Sequence, residues 1–384
     1  MSSPDPIVIV GARRTPQGRF LGSLAACTAL DLAVAAAKGA LGEIPASAID
    51  RCIVGNCLPP ILNVSRQMSL ALGIPQSADA FTVNMACASG LKAITLAADA
   101  LRLGDAEVVL CGGTESMSNA PHFLPRSRTG YRLSDGTLVD SLLLGLKDPA
   151  IGKTMPETAQ LLAERFCVSR EEQDRFALAS HQKALAAQKE GGFDAELIPL
   201  AGLEHDEHPR ADTTLERLAT LKPTLGAGTT ITAGNASGIN DGAAMVVLTT
   251  LSTAKRNGWQ PLAQFSAYAT TGCAPEVMGE GPVHAIRKLH ARTGHTLADY
   301  DAIEINEAFA AQALACLKQL DLAPDDPRFN RCGSGIALGH PIGASGARLV
   351  VHLAHQLAHG NGRRALASLC VGGGMGIAAT LEAL

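Results

Sequence analysis

Two widely separated segments of this 384-residue chain repeat one pattern. Residues 104–118 contain a glycine, polar residues, an apolar run, Cys-Gly-Gly and a methionine. Residues 362–376 contain a glycine, two arginines, an apolar run, Cys-Val-Gly-Gly-Gly and a methionine. In both copies the apolar run follows a longer apolar stretch typical of a buried helix, residues 91–103 in one and 347–359 in the other. The repeat predicts a duplicated α/β unit.

Short apolar runs alternate with longer helical stretches along the rest of the chain. This alternation predicts an α/β fold in which mixed, mainly parallel sheets are covered by helices on both faces. Pro59 and Pro60 predict a break in the chain. Aromatic residues make up only 3% of the chain, so we expect a core of Ala, Val, Leu and Ile. The predicted strands are residues 7–10, 51–55, 80–83, 107–111 and 244–249, and the predicted helices are residues 30–41, 66–72 and 171–189.

The composition changes in the middle of the chain. Proline, charged residues and polar turns dominate residues 119–147 and again residues 204–223. This change predicts an inserted, less regular domain. The predicted domains are an N-terminal half formed by residues 1–118 with 240–260, the inserted domain at residues 119–239, and a C-terminal half at residues 261–384.

A cysteine lies at a predicted junction between a strand and a helix, in residues 84–90. The Ala- and Leu-rich residues 90–103 that follow are typical of a helix ending at Gly104. Cys87 is therefore expected near a helix N-terminus, where free backbone N–H groups and the helix dipole favour a thiolate and lower the cysteine pKa. Cys87 is a candidate nucleophile, and the alternative is an inert buried cysteine.

Two later segments also set a reactive side chain among glycines. His340 lies within residues 339–346, and Cys370 opens residues 370–376. Glycine lets the backbone and a ligand approach each other closely. A cysteine nucleophile needs a base and a polarising group. We therefore predict that Cys87, His340 and Cys370 share one site.

Charge and cysteine spacing argue against several classes of protein. The net charge of -4 is unlike that of a nucleic-acid-binding surface. The ten cysteines show neither the close-spaced pairs of zinc sites nor a secreted disulfide framework, so we expect no metal. No segment has the length of a membrane span, and the N-terminus lacks a basic signal region. We expect a cytoplasmic protein with small-molecule partners, and neither nucleic acid nor membrane among them.

In the segments that contain Cys87, His340 and Cys370, the chain resembles the thiolases, enzymes that make or cleave 3-oxoacyl-CoA. The resemblance implies a five-layered fold of two α/β halves, a loop domain that covers CoA, and a homo-oligomer, either a dimer or a homotetramer. Acyl-CoA and CoA are then substrates or products, and no separate cofactor is implied. The matching segments are residues 11–16, 84–90, 112–118, 232–244, 306–310, 339–346 and 370–376.

The resemblance also implies roles for five residues. Cys87 would carry the acyl group as a thioester, and His340 would help it to the thiolate. Cys370 would remove the alpha proton in synthesis and protonate the carbanion in thiolysis. Asn306 would hold a water that forms one oxyanion hole with His340, and the backbone N–H groups of Cys87 and Gly372 would form the other. From the residues alone, Asn306 could equally be a helix N-cap.

Three further residues match substrate contacts of the family. Ser237 matches a serine that contacts the pantetheine arm, although an ordinary turn residue is the alternative. Lys222 stands where an arginine approaches the CoA nucleotide, which keeps the charge but loses the bidentate fork. Met155 falls at the acyl pocket within Thr154-Met155-Pro156, where biosynthetic thiolases commonly have His-Met-Gly. The missing histidine leaves the acyl-chain preference open.

The leading hypothesis is an acyltransferase that catalyses reversible Claisen condensation of acetyl-CoA and CoA-dependent thiolysis through an acyl-cysteine, namely acetyl-CoA C-acetyltransferase. A longer-chain 3-ketoacyl-CoA thiolase of fatty-acid degradation is the nearest alternative. A decarboxylating ketoacyl synthase shares the fold and a cysteine nucleophile, but it needs no second cysteine, so Cys370 favours a thiolase. A CoA-ester binding protein without activity is the non-enzymatic alternative.

Overall fold

The computed structural model describes residues 5–58 and 62–384, and the predicted break at Pro59 and Pro60 lies outside the described residues. The strands are β1 (Ile7–Arg14), β2 (Gly18–Arg19), β3 (Arg51–Gly55), β4 (Asp79–Val83), β5 (Val108–Ser116), β6 (His122–Phe123), β7 (Val139–Asp140), β8 (Asn240–Thr250), β9 (Ala263–Gly272), β10 (Ala302–Ile305), β11 (Arg364–Val371) and β12 (Met375–Glu382). The helices are α1 (Ala29–Leu41), α2 (Val64–Ala71), α3 (Ser89–Leu103), α4 (Ser141–Gly145), α5 (Met155–Arg165), α6 (Arg170–Lys189), α7 (Leu215–Thr220), α8 (Leu251–Asn257), α9 (Gly281–Thr293), α10 (Ala310–Leu320), α11 (Gly335–Leu338) and α12 (Ile342–Ala358).

Within the described residues, ten strands form one mixed sheet with the order β10-β11-β12-β9-β1-β8-β5-β3-β4, and β2 pairs with β8 beside this path. The order repeats one plan twice. In the first half, β3 and β5 are parallel, and β5, β8 and β1 are joined by antiparallel pairs. In the second half, β10 and β11 are parallel, and β11, β12 and β9 are joined by antiparallel pairs. The predicted duplication is confirmed.

Helices cover the sheet in a fixed order of layers. Helices α3 and α12 pack between the two halves, against side chains of both, such as Val109 of β5 and Ile377 of β12. Helices α1 and α2 cover the other face of the first half. Helices α9 and α10 cover the other face of the second. The core therefore has the predicted five layers, and its inner helix layer belongs equally to both halves.

Most elements lie where the sequence predicted them, but β1 continues past residue 10 to Arg14 and β5 continues past residue 111 to Ser116. Residues 51–55 form β3 as predicted, α1 and α6 begin one residue before their predicted starts, and the predicted strand 244–249 returns to the first half as β8. The share of parallel pairs is smaller than the alternation suggested. The strand that closes each half, β8 or β12, runs antiparallel to its neighbours. A parallel pair requires a crossover, whereas β11 and β12 are joined by a short glycine turn.

Residues 119–239 are less regular than the two halves. They contain the short strands β6 and β7 and the helices α4 to α7, with long loops between them. Helices α5 and α6 bury side chains against α10 in the second half. The exact domain boundaries predicted above stay a prediction. In the described part of the chain, no helix is both long and apolar enough to span a membrane.

Candidate active site

Cys87 lies in a tight turn between β4 and α3. Helix α3 begins at Ser89, so Cys87 precedes the helix by two residues. Ala86 has a φ of 44°, which an L-residue adopts only when its surroundings hold it there. The Ser89 hydroxyl holds it, because its oxygen donates to the carbonyl of Ala86 (2.7 Å) and accepts from the N–H of Met85 (2.8 Å). The turn fixes the direction of the Cys87 side chain, which is half-buried.

The pKa of Cys87 is raised, not lowered as the helix N-terminus predicted. Burial raises the pKa of this thiol to about 11 and outweighs hydrogen bonds from the backbone N–H groups of Gly372 and Cys87, which lower it. The negative charge of Glu115 raises it further. The prediction from the helix dipole was wrong because removal from water disfavours a thiolate more than two N–H donors favour it.

Cys370 comes to the same place from the second half. It is the penultimate residue of β11 and is buried. Burial raises its pKa well above the ordinary value, and the nearby charge of Cys87 raises it further. The next turn has left-handed backbone at Gly373 and Gly374, with φ of 88° and 80°. This turn presents the Gly372 N–H to Cys87, so the structure brings the two predicted thiols and Gly372 together.

His340 and Asn306 form the other side of the site. Both are buried, and Nδ1 of His340 lies 3.4 Å from Nδ2 of Asn306 and 2.6 Å from Oγ of Ser345. Because the Ser345 hydroxyl donates to the carbonyl of Pro341 (2.9 Å), its oxygen accepts from Nδ1–H, which leaves Nε2 as the free lone pair. Burial, and then the charge of Arg348, lowers the pKa of His340 to about 4, so the ring is neutral near pH 7.

Two buried atoms of this pair have no partner in the part of the chain that the structure describes. They are Nε2 of His340 and Oδ1 of Asn306. Buried polar atoms are normally hydrogen-bonded, and these two can each accept a hydrogen bond from a substrate or a water. Asn306 is not a helix N-cap, since α10 begins at Ala310 with Phe309 as its cap. The alternative interpretation of Asn306 is therefore excluded.

The three predicted substrate contacts lie in different settings. Met155 begins α5, and its sulfur lies 3.4 Å from the point that a Cβ on Gly372 would occupy, so it borders the site. The Ser237 N–H donates to the carbonyl of Ala308 (2.9 Å), two residues after Asn306. Lys222 is exposed and forms no side-chain hydrogen bond or ion pair within residues 5–58 and 62–384, so no contact fixes its role.

A cavity of about 300 Å³ lies on the Ser237 side of this region. Sequence reasoning missed its charged residues: Arg210 and Arg217 lie in a stretch that we interpreted as polar turns. His208, which also lines the cavity, is buried, and burial lowers its pKa to about 3. The available signal for a phosphate-binding region was the pair of arginines, Arg210 and Arg217, shortly before the small residues Ala233 and Gly234 in the sequence. The lining residues are His181, His208, Arg210, Asp212, Thr213, Arg217, Leu218, Thr220, Leu221, Ala233, Gly234, Ala236 and Ile336.

Comparisons with known proteins agree on one family. The family model for the thiolase N-terminal domain matches residues 7–252, and that for the thiolase C-terminal domain matches residues 259–383. An acetyl-CoA acetyltransferase of Allochromatium vinosum is 44% identical, over 98% of this chain and 99% of the relative. A beta-ketoadipyl-CoA thiolase of Pseudomonas putida is also 44% identical, with the same coverage.

Solved structures give the same answer. The Bacillus anthracis acetyl-CoA acetyltransferase superposes with a TM-score of 0.96 at 43% identity, over all of both chains. The human mitochondrial 3-ketoacyl-CoA thiolase in complex with CoA also has a TM-score of 0.96, at 41% identity, over 99% of this chain and 98% of that one. The shared fold, both matching domain models and full-length relatives establish that the chain belongs to the thiolase family.

Proposed function

We propose that this thiolase acts as an acetyl-CoA C-acetyltransferase, through an acyl group held on Cys87. The observation that carries the proposal is the meeting of two thiols, Cys87 and Cys370, from opposite halves of the molecule beside one backbone N–H donor. A decarboxylating synthase has no use for the second thiol. The names of the compared relatives, acetyl-CoA acetyltransferase among them, support the same reaction class.

In the thiolysis direction, Cys87 attacks the C3 carbonyl of a 3-oxoacyl-CoA as its thiolate. The C2–C3 bond then breaks, the acyl group stays on sulfur as a thioester, and acetyl-CoA leaves as its enolate. Cys370 gives its proton to C2 of that enolate. The N–H groups of Cys87 and Gly372 stabilise the oxyanion that forms at C3. The Cys370 thiolate then takes the thiol proton of free CoA, and the CoA thiolate attacks the acyl-Cys87 thioester. This releases the shortened acyl-CoA, and Cys87 leaves as a thiolate that takes back its proton from His340.

Before substrate binds, the pKa values favour a neutral Cys87 thiol beside a neutral His340 imidazole over a thiolate beside an imidazolium. The thiol of Cys87 has a pKa raised to about 11 and the imidazole of His340 a pKa lowered to about 4, each by burial first. Burial disfavours the charged form of each group. We therefore propose that the proton moves from Cys87 to Nε2 of His340 only as the substrate carbonyl approaches, when the developing charge passes to the oxyanion donors.

The unpaired atoms of His340 and Asn306 support a second oxyanion site. In condensation, Cys370 removes the alpha proton of acetyl-CoA, and the thioester oxygen becomes an enolate oxygen. A water held by Asn306 and the His340 ring would stabilise that oxygen. This role also requires His340 to present Nε2–H, which the ring has once it has taken the proton of Cys87.

The cavity near Ser237 is the proposed site for part of the CoA molecule. Arg210, and Arg217 through the part of its guanidinium not used by its ion pair with Asp212, would supply positive charge for phosphate groups. Ala233 and Gly234 would allow a chain to lie close to the backbone. Residues 119–239 would thus form the loop domain that covers CoA. CoA enters as substrate and leaves as product, and we propose no other cofactor.

The cellular setting is also a proposal. Ten free cysteines, two of them required as thiols, suit the reducing cytoplasm. We propose a homo-oligomer, dimer or tetramer, as the resemblance implies.

Steady-state thiolysis over a series from acetoacetyl-CoA to long 3-oxoacyl-CoA esters tests the function. We expect kcat/KM to be highest for acetoacetyl-CoA and to fall with chain length. A maximum at long chains would make the protein a degradative 3-ketoacyl-CoA thiolase. Turnover of malonyl thioesters without cleavage of acetoacetyl-CoA would make it a ketoacyl synthase, and acyl-CoA binding without any turnover would leave only a binding protein.

A further inference from the structure

A buried carboxylate that takes no part in the proposed chemistry lies behind the site. Glu115, the penultimate residue of β5, is completely buried. It belongs to the segment 112–118 that marked the family resemblance. Its carboxylate is held by N–H groups, and burial raises its pKa to about 7. Burying a carboxylate costs free energy, so we examined what its hydrogen bonds hold together.

Among the residues that the structure describes, four N–H donors bind the Glu115 carboxylate, and they come from two separate segments. Oε1 accepts from the side-chain amide of Asn56 (2.8 Å) and from the backbone N–H of Leu58 (3.0 Å). Oε2 accepts from the backbone N–H of Cys57 (3.0 Å) and from that of Gly343 (2.9 Å). One carboxylate therefore joins the loop after β3 to the first turn of α12.

The loop after β3 supports the turn that carries Cys87. The thiol of Cys57 donates to the carbonyl of Ala86, the residue before Cys87, at 3.2 Å. The backbone N–H of Asn56 donates to the carbonyl of Val83, at the end of β4, at 3.1 Å. A shift of this loop would therefore shift Cys87.

The other segment carries His340. Gly343 follows it by three residues, in the first turn of α12. This turn lies directly on β5 and α3: a Cβ on Gly113 would come within 1.9 Å of the carbonyl oxygen of Gly343, and one on Gly90 within 2.8 Å. The backbone of this turn therefore packs directly on the backbone of β5 and α3. We infer that the hydrogen bond from the Gly343 N–H to Glu115 helps to fix the position at which α12 begins.

We propose that Glu115 is a positioning residue that holds the start of α12, with His340, against the turn that carries Cys87. The inference rests on the proposed function, in which these two side chains react together. A carboxylate suits the task because it offers acceptor sites on both oxygens. The Glu115→Gln variant has the same shape but turns an NH2 group toward two N–H donors, so it releases one pair of bonds.

The test measures acetoacetyl-CoA thiolysis by Glu115→Gln together with its thermal unfolding midpoint. A misplacement of reacting groups by about 1 Å costs about 100-fold in rate, and we expect a loss of kcat of that order. We expect KM for CoA to stay nearly unchanged, because the proposed CoA cavity is built from other segments.

Asp50→Asn is the matched control. The Oδ2 atom of Asp50 accepts from the N–H groups of Glu107 (2.8 Å) and Val108 (2.9 Å), at the opposite end of the same strand β5. This variant should lower the unfolding midpoint and leave kcat unchanged. A merely structural Glu115 would behave like Asp50.

The pH profile gives a second readout. Wild-type kcat should rise as Glu115 ionises near pH 7, since only the ionised form accepts from all four donors. The titratable side chains that face it are the thiols of Cys57 and Cys87, both with raised pKa, and His340 beyond Gly343 is neutral above about pH 4. This rising limb should be absent in Glu115→Gln.

The inference is overturned if folded Glu115→Gln keeps kcat within about threefold of wild type, or if Asp50→Asn loses as much. Should Glu115→Gln not fold, Asn56→Ala removes one donor, and we expect a kcat loss of about tenfold with unchanged KM. Unchanged kcat in Asn56→Ala would then overturn it. A wild-type protein without thiolysis activity would instead refute the proposed function, and this inference with it.

Discussion

The two halves of the molecule use the same structural unit for different tasks. In the first half, Cys87 stands two residues before α3, and in the second, His340 stands two residues before α12. The two helices lie side by side in the middle layer, so their starts meet. Duplication thus placed two equivalent positions next to each other, and the proposed nucleophile occupies one and its base the other.

The strands that follow these helices differ in the same way. The end of β11 bears Cys370, which lies near Cys87, whereas the end of β5 bears Glu115, which accepts from N–H groups. The sequence repeat aligned Cys111 with Cys370, but Cys111 packs in the core around α3 and α12, and Cys370 packs on the opposite face of its sheet. A slip of one residue along a strand reverses the side-chain direction. Equivalent strands of the two halves can therefore have different roles: β11 supplies a proposed reacting group, Cys370, and β5 supplies the proposed positioning residue, Glu115.

The largest expected difference between the halves is chemical. Cys370→Ala should lower condensation and thiolysis about 10³-fold, because the carbanion loses its proton donor and acceptor, while Cys87 still takes up an acetyl group. Cys111→Ala should leave turnover unchanged and cost about 1 to 2 kcal/mol of unfolding free energy. An absorbance assay of condensation and thiolysis measures turnover by the two variants, and denaturant unfolding measures their stability. Normal condensation by Cys370→Ala would remove Cys370 from its proposed role.

A smaller effect should appear where the halves touch. A Cβ on Gly113 would come within 1.9 Å of the carbonyl oxygen of Gly343, so Gly113→Ala must force α12 away from β5, at a cost of about 3 kcal/mol or more in unfolding free energy. Gly104→Ala, at the end of α3, meets no atom within 4 Å and costs about 1 kcal/mol for its φ of 71°. Denaturant unfolding of both variants checks the difference; equal losses would show that the contact between helix starts is loose.

The smallest effect is on the pH dependence of stability, and it has opposite signs in the two halves. The pKa of His340 falls from 6.5 to about 4 on folding, so only the unfolded chain takes up this proton near pH 5.5. His340 should therefore lower the free energy of unfolding by about 1.4 kcal/mol when the pH falls from 7.5 to 5.5. The pKa of Cys87 is raised from 9.0 to about 11, so its effect is a loss of stability as pH rises between those values.

Unfolding free energies of wild type and His340→Asn at pH 5.5 and 7.5 isolate the first effect. Other buried histidines, such as His208, are present in both proteins, so they cancel in the comparison. The variant should lose less stability on acidification. An equal loss would mean that His340 is not buried as a neutral ring.

The sequence predicted most of the fold because its signals are local. Apolar runs bounded by glycine indicated β3 and β5, and the Ser169 capping box lies at the start of α6, within one residue of the predicted start. The repeat of strand, helix and glycine indicated the duplication. The antiparallel closure by β8 and β12 depends on how strands pair over long distances, and periodicity carries no such information.

The site was predictable in its residue types and not in its charge states. Cys87, His340 and Cys370 stood out among glycines, but the predicted thiolate overlooked burial, which depends on every element around the turn. Glu115 gave no signal of its own, because its four donors come from segments far apart in the chain. Arg210 and Arg217 were overlooked because they lie in a stretch that was interpreted as polar turns.

Isotope-labelled acetyl-CoA and peptide mapping by mass spectrometry test the central claim most directly. Folded Cys370→Ala protein, incubated with the labelled substrate, should carry one acetyl group, on Cys87. The Cys87→Ser variant serves as the comparison for label on other thiols. Label on any other residue, or none on Cys87 while the protein is folded, would contradict the account.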